Sequence, residues 1–236
     1  MIIRMKIFSD ILDRLLTAPG ETTGGALTQR GMPARPVSAA DGSVGKAAPV
    51  GPHGGPKGFV PPSTVYLLLD VSGSMNAAKL RQAKDGGISF AEDAIRKGYL
   101  VGVIQFSTLV RLRVEPTKSL RAIEKGLSEP GLQMTTNMAG AIELGTKRLS
   151  RCEGQRAMVL VTDGYPDSAA GALAAAEQAK RRDIVIIAIG TDDADRNFLQ
   201  KLARASGLAT TVPDSELKVA IAKAAGLLPA RSSGSR

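Results

Sequence analysis

The chain has 236 residues, a formal net charge of +9 and a sequence pI near 9.9. Aromatic residues make up 3% and tryptophan is absent, so an apolar core must be built from aliphatic side chains, as in a helix-covered parallel sheet. With one cysteine, Cys152, and one histidine, His53, the usual thiolate and imidazole metal sites are excluded, and any metal must be bound by oxygen.

The first predicted element is an amphipathic helix within residues 1–17, where Met5, Phe8 and Ile11 recur at helical spacing. Residues 18–63 are rich in Gly, Pro, Ala and Ser, which favours a linker, and we interpret residues 229–236 as a flexible tail. No signal peptide and no stretch of about 20 apolar residues is found, so we expect a cytoplasmic protein without a transmembrane segment. The sequence leaves open whether the first helix docks on its own domain or on a partner.

Residues 64–228 alternate short apolar runs of strand length with longer amphipathic stretches of helical length. Continuous apolar runs are typical of parallel strands buried on both faces. They predict strands at Val65–Leu69, Leu100–Phe106, Ala157–Val161 and Ile184–Ile189, and a further short strand is predicted at Ala209–Val212. The helices are predicted at Ala77–Lys97, Asn137–Ser150, Ala169–Arg181, Ala194–Ser206 and Ser215–Leu227. Repeated βα units of this kind indicate a doubly wound, mainly parallel α/β sheet with helices on both faces, a Rossmann-like fold.

A sixth strand breaks the βα alternation. The segment Leu109–Val114 follows the preceding strand after only Ser107 and Thr108, and its apolar residues alternate with Arg111 and Arg113. So short a connection cannot make a parallel crossover, and we therefore predict one antiparallel strand at the edge of the sheet.

Three predicted loops carry oxygen-bearing side chains to one edge of this sheet. Asp70, Ser72 and Ser74 follow the first strand, Asp163 follows the strand Ala157–Val161, and Thr136 precedes the helix that leads into that strand. In an open α/β sheet, the carboxyl ends of the strands form the ligand site. Two carboxylates and three hydroxyls suit Mg²⁺ or Mn²⁺, and the ion would remove the repulsion between the two acids. The sequence therefore predicts a metal site there.

The set Asp70-x-Ser72-x-Ser74, Thr136 in Thr-Asn-Met-Ala-Gly, and Asp163 in Thr-Asp-Gly resembles the complete metal-ion-dependent adhesion site of von Willebrand factor A (VWA) and integrin I-type domains. The resemblance implies Mg²⁺, with Mn²⁺ or Ca²⁺ as alternatives, contacts from the hydroxyls, and aspartates that bind directly or through water. It also implies a protein partner that offers an Asp or Glu to the metal, and no catalytic residues.

The first strand, Thr64–Asp70, resembles bacterial cytoplasmic VWA proteins of tellurite-resistance clusters or those that work with MoxR-type AAA+ ATPases. This resemblance implies a multiprotein complex in which an AAA+ ATPase or another subunit is the partner. Near the site, we predict partner contacts for Tyr165 and Asp167, and helix capping for Asp192, Asp193 and Asp195.

Three other functions are alternatives to a metal-dependent binding module. A metal-independent VWA scaffold subunit would use the same fold without the ion. A Mg²⁺-dependent phosphotransferase-like enzyme would resemble D-x-D, but Ser72 stands at the second position. A nucleic-acid binder would explain the positive charge, yet the basic residues are scattered among acids and few aromatics are present for base stacking.

Overall fold

A six-stranded sheet forms the centre of the part of the chain that the computed structural model describes, residues 61–128 and 135–229. The strands are β1 (Ser63–Asp70), β2 (Tyr99–Phe106), β3 (Val110–Thr117), β4 (Arg156–Thr162), β5 (Val185–Thr191) and β6 (Gly207–Val212). Their order is β3-β2-β1-β4-β5-β6, and every neighbouring pair is parallel except β2 and β3. The predicted fold class, including the antiparallel edge strand, is confirmed.

Six α-helices accompany the sheet in these residues. They are α1 (Ala77–Arg96), α2 (Leu120–Ser128), α3 (Met138–Leu149), α4 (Ala169–Lys180), α5 (Arg196–Ser206) and α6 (Leu217–Lys223). Short 3₁₀ turns, Asp214–Glu216 and Ala224–Leu227, flank α6 where one continuous last helix is predicted. Helix α2 was not predicted, although its buried residues Ile123 and Leu127 are spaced by one helical turn.

The structure describes only a few of the residues that flank the predicted domain. The helix predicted within residues 1–17 and most of the linker lie outside the described residues. Ser63, the last residue of that linker, instead begins β1. Of the predicted tail, only Pro229 is described, and its carbonyl accepts a hydrogen bond from the Tyr99 hydroxyl at 2.6 Å.

Side-chain alternation along the strands builds an apolar layer on each face of the sheet. On β1, Val65 and Leu67 point to one face, whereas Tyr66 and Leu68 point to the other, and all four are buried. Buried residues of α1, α2 and α6 cover the first face, and those of α3, α4 and α5 cover the second. None of the described helices combines the length and the apolarity that crossing a bilayer requires.

The order of the strands places a crevice between the carboxyl ends of β1 and β4. From β1 the chain runs through α1 to β2 on one side, whereas α3 leads into β4 from the opposite face of the sheet. At such a switch point the loops diverge to opposite faces and leave room for a ligand. Asp70 is the last residue of β1, and Asp163 directly follows β4, so the two carboxylates lie at this crevice.

Candidate metal centre

The loop after β1 is folded by short-range hydrogen bonds. The backbone N–H of Ser72 donates to Asp70 Oδ1 at 2.8 Å, which turns the chain immediately after the strand. The Oγ atoms of Ser72 and Ser74 lie 3.1 Å apart. Asn76 then caps α1, because its side-chain oxygen accepts from the backbone N–H groups of Ala78 and Lys79. Both serine hydroxyls are therefore held on the same side of a tight turn.

The loop after β4 is bonded directly to the loop after β1. Asp163 Oδ1 accepts the Ser74 hydroxyl at 2.7 Å, and the Thr162 hydroxyl donates to Asp70 Oδ2 at 2.6 Å. Asp70 and Thr162 are 0% exposed, so their hydrogen bond is shielded from water, whereas the 1% exposed Asp163 is bonded to the exposed Ser74. Each carboxylate is thus oriented by a hydroxyl of the opposite loop.

The third loop brings Thr136 to the same place. Its backbone N–H donates to Asp167 Oδ1 at 2.7 Å, and the N–H of Asp167 donates back to its carbonyl at 3.0 Å. A Cβ built on Gly164 would lie 3.1 Å from Ser74 Oγ and 3.8 Å from Thr136 Oγ1. The two hydroxyls therefore face a common point, and the structure brings all five predicted site residues together.

Burial and the nearby charge of Asp163 disfavour the charged form of Asp70 when no metal ion is bound. Burial raises the pKa of Asp70 to about 6, the charge of Asp163 adds to this rise, and hydrogen bonds from Thr162 and Ser72 oppose it. A cation placed between the two acids would offset the cost of burying the negative charge of Asp70. Among the described residues, no group of three or more His, Cys, Asp or Glu side chains could hold a metal ion. A metal at this site would depend on the hydroxyl oxygens as well as the two carboxylates, which is a hard-oxygen set.

A family model for the von Willebrand factor type A domain matches residues 64–223. The chain belongs to this family. Its members often mediate protein–protein interactions, in some cases through a metal ion. No curated protein matches the sequence significantly.

Several solved structures have the same fold as this chain. The von Willebrand factor domain of the type V pili tip protein Mfa5 from Porphyromonas gingivalis has a TM-score of 0.62 at 12% identity, covering 72% of this chain and 95% of that one. BatB from Bacteroides thetaiotaomicron has a TM-score of 0.56 at 23% identity, covering 70% and 99%. Manganese-loaded TRAP protein from Plasmodium vivax has a TM-score of 0.54 at 19% identity, covering 68% and 72%. At these identities the comparison establishes the fold.

The VWA domain has a buried lysine at the site that the sequence analysis did not single out. Lys79 Nζ donates to Asp163 Oδ2 at 2.8 Å and to Asp193 Oδ2 at 2.6 Å, and lies 3.7 Å from Asp214 Oδ2. Burial alone would lower the pKa of this ammonium, but the hydrogen bonds to Asp163 and Asp193 raise it above its ordinary value. Lys79 therefore stays charged.

Other neighbours of the site differ in part from the sequence interpretation. The Asp195 carboxylate accepts from the Phe198 N–H at 2.9 Å, as its predicted capping role requires, whereas Asp193 binds Lys79. Asp167, predicted to contact a partner, bonds to the Thr136 backbone. Tyr165 is 68% exposed beside Asp163, where a partner could reach it.

Proposed function

We propose that this VWA domain holds one divalent cation and uses it to bind an acidic side chain of a partner protein. The proposed ligands are Asp70, Ser72, Ser74, Thr136 and Asp163, and the preferred ion is Mg²⁺, with Mn²⁺ or Ca²⁺ as alternatives. The observation that carries the proposal is the convergence of three loops, in which two buried carboxylates and three hydroxyls meet at the switch point of the sheet.

The charges at the site favour an anionic partner. Asp70 and Asp163 supply two negative charges, and the remaining proposed ligands are neutral hydroxyls, which neutralise none of the ion's charge. An ion bound this way retains affinity for one more anionic oxygen, and the carboxylate of Asp or Glu is the commonest such group on a protein surface. Manganese-loaded TRAP supports this reading, since it shows that a protein of this fold can carry a divalent metal.

A binding role fits the relatives better than catalysis does. The structural neighbours include a pilus tip protein and the pilus adhesin SpaC from Lactobacillus rhamnosus GG. In this chain, Ser72 replaces the second carboxylate of a D-x-D phosphotransferase motif. We propose a noncatalytic subunit of a multiprotein complex in the bacterial cytoplasm, with an AAA+ ATPase or another subunit as the acidic partner. Residues 1–17, 18–63, 64–228 and 229–236 would be its helix, linker, VWA domain and tail.

The direct test is a titration of the purified chain with Mn²⁺, followed by the electron paramagnetic resonance signal of the free ion. Wild type should bind one Mn²⁺, and Asp70→Ala should bind none while keeping its circular dichroism spectrum. Partners are then captured with Mg²⁺ and with EDTA. Equal Mn²⁺ binding by both proteins would reject the metal site. Partner capture that is unaffected by EDTA and by Asp70→Ala would favour the metal-independent scaffold instead.

A further inference from the structure

Lys79 provides a fixed positive charge on the side of Asp163 that faces away from the serine hydroxyls. Asp163 Oδ1 accepts from Ser74, and Oδ2 accepts from Lys79. The lysine side chain is 5% exposed and the Asp163 side chain is 0% exposed. A lysine this buried is rare in proteins unless it is paired, and here it is paired to a proposed metal ligand.

The other two acids near Lys79 lie on separate loops and are partly in solvent. Asp193 follows β5 and its side chain is 68% exposed, and Asp214 follows β6 and its side chain is 47% exposed. Water screens the charges of these two acids, whereas the contact between Lys79 and Asp163 is shielded. Most of the ammonium's effect therefore falls on the buried carboxylate and on any ion bound beside it.

We propose that Lys79 is a built-in counterion that makes metal binding depend on the acidic ligand of the partner. This inference rests on the metal site proposed above. Without metal, the ammonium balances Asp163 and keeps the site folded. With metal, the same ammonium offsets part of the negative charge that Asp70 and Asp163 offer to the ion. The ion is then bound weakly by the domain alone and more tightly once a partner carboxylate restores the balance, so ion and carboxylate bind cooperatively.

The first test compares charge-changing variants of the full chain, with Mn²⁺ as the probe. Lys79→Met removes the charge and keeps an apolar stem, so Mn²⁺ affinity should rise on the order of tenfold or more. Its melting temperature in EDTA should fall, because Asp163 becomes a buried unpaired charge, and Mn²⁺ should restore it. Lys79→Arg should keep the affinity near that of wild type. Lys84→Met, five residues further along α1, is the matched control and should change neither quantity.

The second test measures the cooperativity with acetate as the carboxylate probe. At equal ionic strength, replacing chloride with acetate should raise the apparent Mn²⁺ affinity of wild type by a larger factor than that of Lys79→Met. In Lys79→Met, no ammonium offsets the negative charges of Asp70 and Asp163, so these charges already balance the ion. The Mn²⁺ affinity of this variant therefore gains less from an added carboxylate. An equal gain in both proteins would overturn the proposed coupling.

A folded Lys79→Met variant with unchanged or weaker Mn²⁺ affinity overturns the inference and leaves the metal site standing. If Lys79→Met does not fold even with Mn²⁺, the Mn²⁺ affinity of Asp193→Asn tests the inference instead. The Asp193 carboxylate is exposed, so it can be changed without loss of the fold. Asp193→Asn should bind Mn²⁺ more weakly, since Lys79 then acts with less compensation, and Asp192→Asn is the control. Affinity that is unchanged or higher in Asp193→Asn overturns the inference. Failure of wild type and of every variant to bind Mn²⁺ refutes the proposed function itself, and this inference with it.

Discussion

Gly164 tests whether the space between the serine and threonine hydroxyls is where the ion binds. A Cβ at this position would lie 3.1 Å from Ser74 Oγ and 3.8 Å from Thr136 Oγ1. The first distance is a few tenths of an ångström shorter than a comfortable contact between a carbon and an oxygen. Gly164→Ala therefore pushes on one proposed ligand and fills space beside another.

The expected effect is large on the metal and small on the fold. Mg²⁺ requires near-octahedral geometry at about 2.0–2.1 Å, so displacing a hydroxyl by a few tenths of an ångström is poorly tolerated. We expect affinity to fall at least tenfold, which corresponds to about 1.4 kcal/mol. The backbone of Gly164 does not have a positive φ, unlike that of Gly98 and Gly154, so alanine introduces no backbone strain. Stability should change by less than about 1 kcal/mol.

The assay is Mn²⁺ titration together with thermal unfolding in EDTA. Gly226→Ala is the matched control, because a Cβ there would meet no atom within 4 Å. It should bind and melt like wild type. If Gly164→Ala bound Mn²⁺ as tightly as the Gly226→Ala control, the hydroxyls of Ser74 and Thr136 could not be the ligands that the proposal requires.

Two further predictions concern the residues that orient or carry the buried charges. Thr162→Val removes the hydroxyl that donates to Asp70 at 2.6 Å, and it should weaken Mn²⁺ binding about 10-fold or more. Thr146→Val is the control, because the Thr146 hydroxyl is buried without a hydrogen-bond partner, and this variant should bind Mn²⁺ like wild type. Asp70→Asn should abolish Mn²⁺ binding yet raise the melting temperature of the EDTA-treated chain at pH 7, because burial raises the pKa of the wild-type carboxyl to about 6 from 3.8. The charged form is destabilising above the folded-state pKa, and this destabilisation is lost as the carboxyl becomes protonated. The two melting temperatures should therefore converge as the pH falls from about 6 to 3.8, and a constant difference across this range would contradict the explanation.

The elements that could be predicted from sequence are those whose signals lie within short segments. Buried parallel strands such as β1 and β5 are continuous apolar runs, and the short connection before β3 forces an antiparallel pair. Helix α2 has only 9 residues and carries Arg121, Glu124 and Lys125 among its apolar positions, so its charges masked the helical spacing. Its burial depends on packing against the sheet, and this is a tertiary contact that local spacing shows only weakly.

The same distinction separates the proposed ligands from the groups around them. Asp70, Ser72 and Ser74 lie in one local turn, and the rule that strand ends share a sheet edge brings Asp163 to them. Lys79 contacts Asp163 and Asp193 across 84 and 114 residues of sequence. On a helix surface, lysine is usually solvated, so nothing in its local sequence distinguishes it from Lys84. Only the assembled fold shows that Lys79 is buried against the acids.

The hydrogen-bond directions explain how the site can be formed before an ion arrives. A hydroxyl has one donor hydrogen and two acceptor lone pairs. Ser74 gives its hydrogen to Asp163, and Thr162 gives its hydrogen to Asp70, so the carboxylates fix the direction of the hydroxyls. Because its hydrogen is committed to Asp163, Ser74 accepts from the Ser72 hydroxyl at 3.1 Å, and its second lone pair is left to face a cation. Asp163 would thus contribute charge and orientation even where its oxygens do not touch the ion, and little rearrangement would be needed on binding.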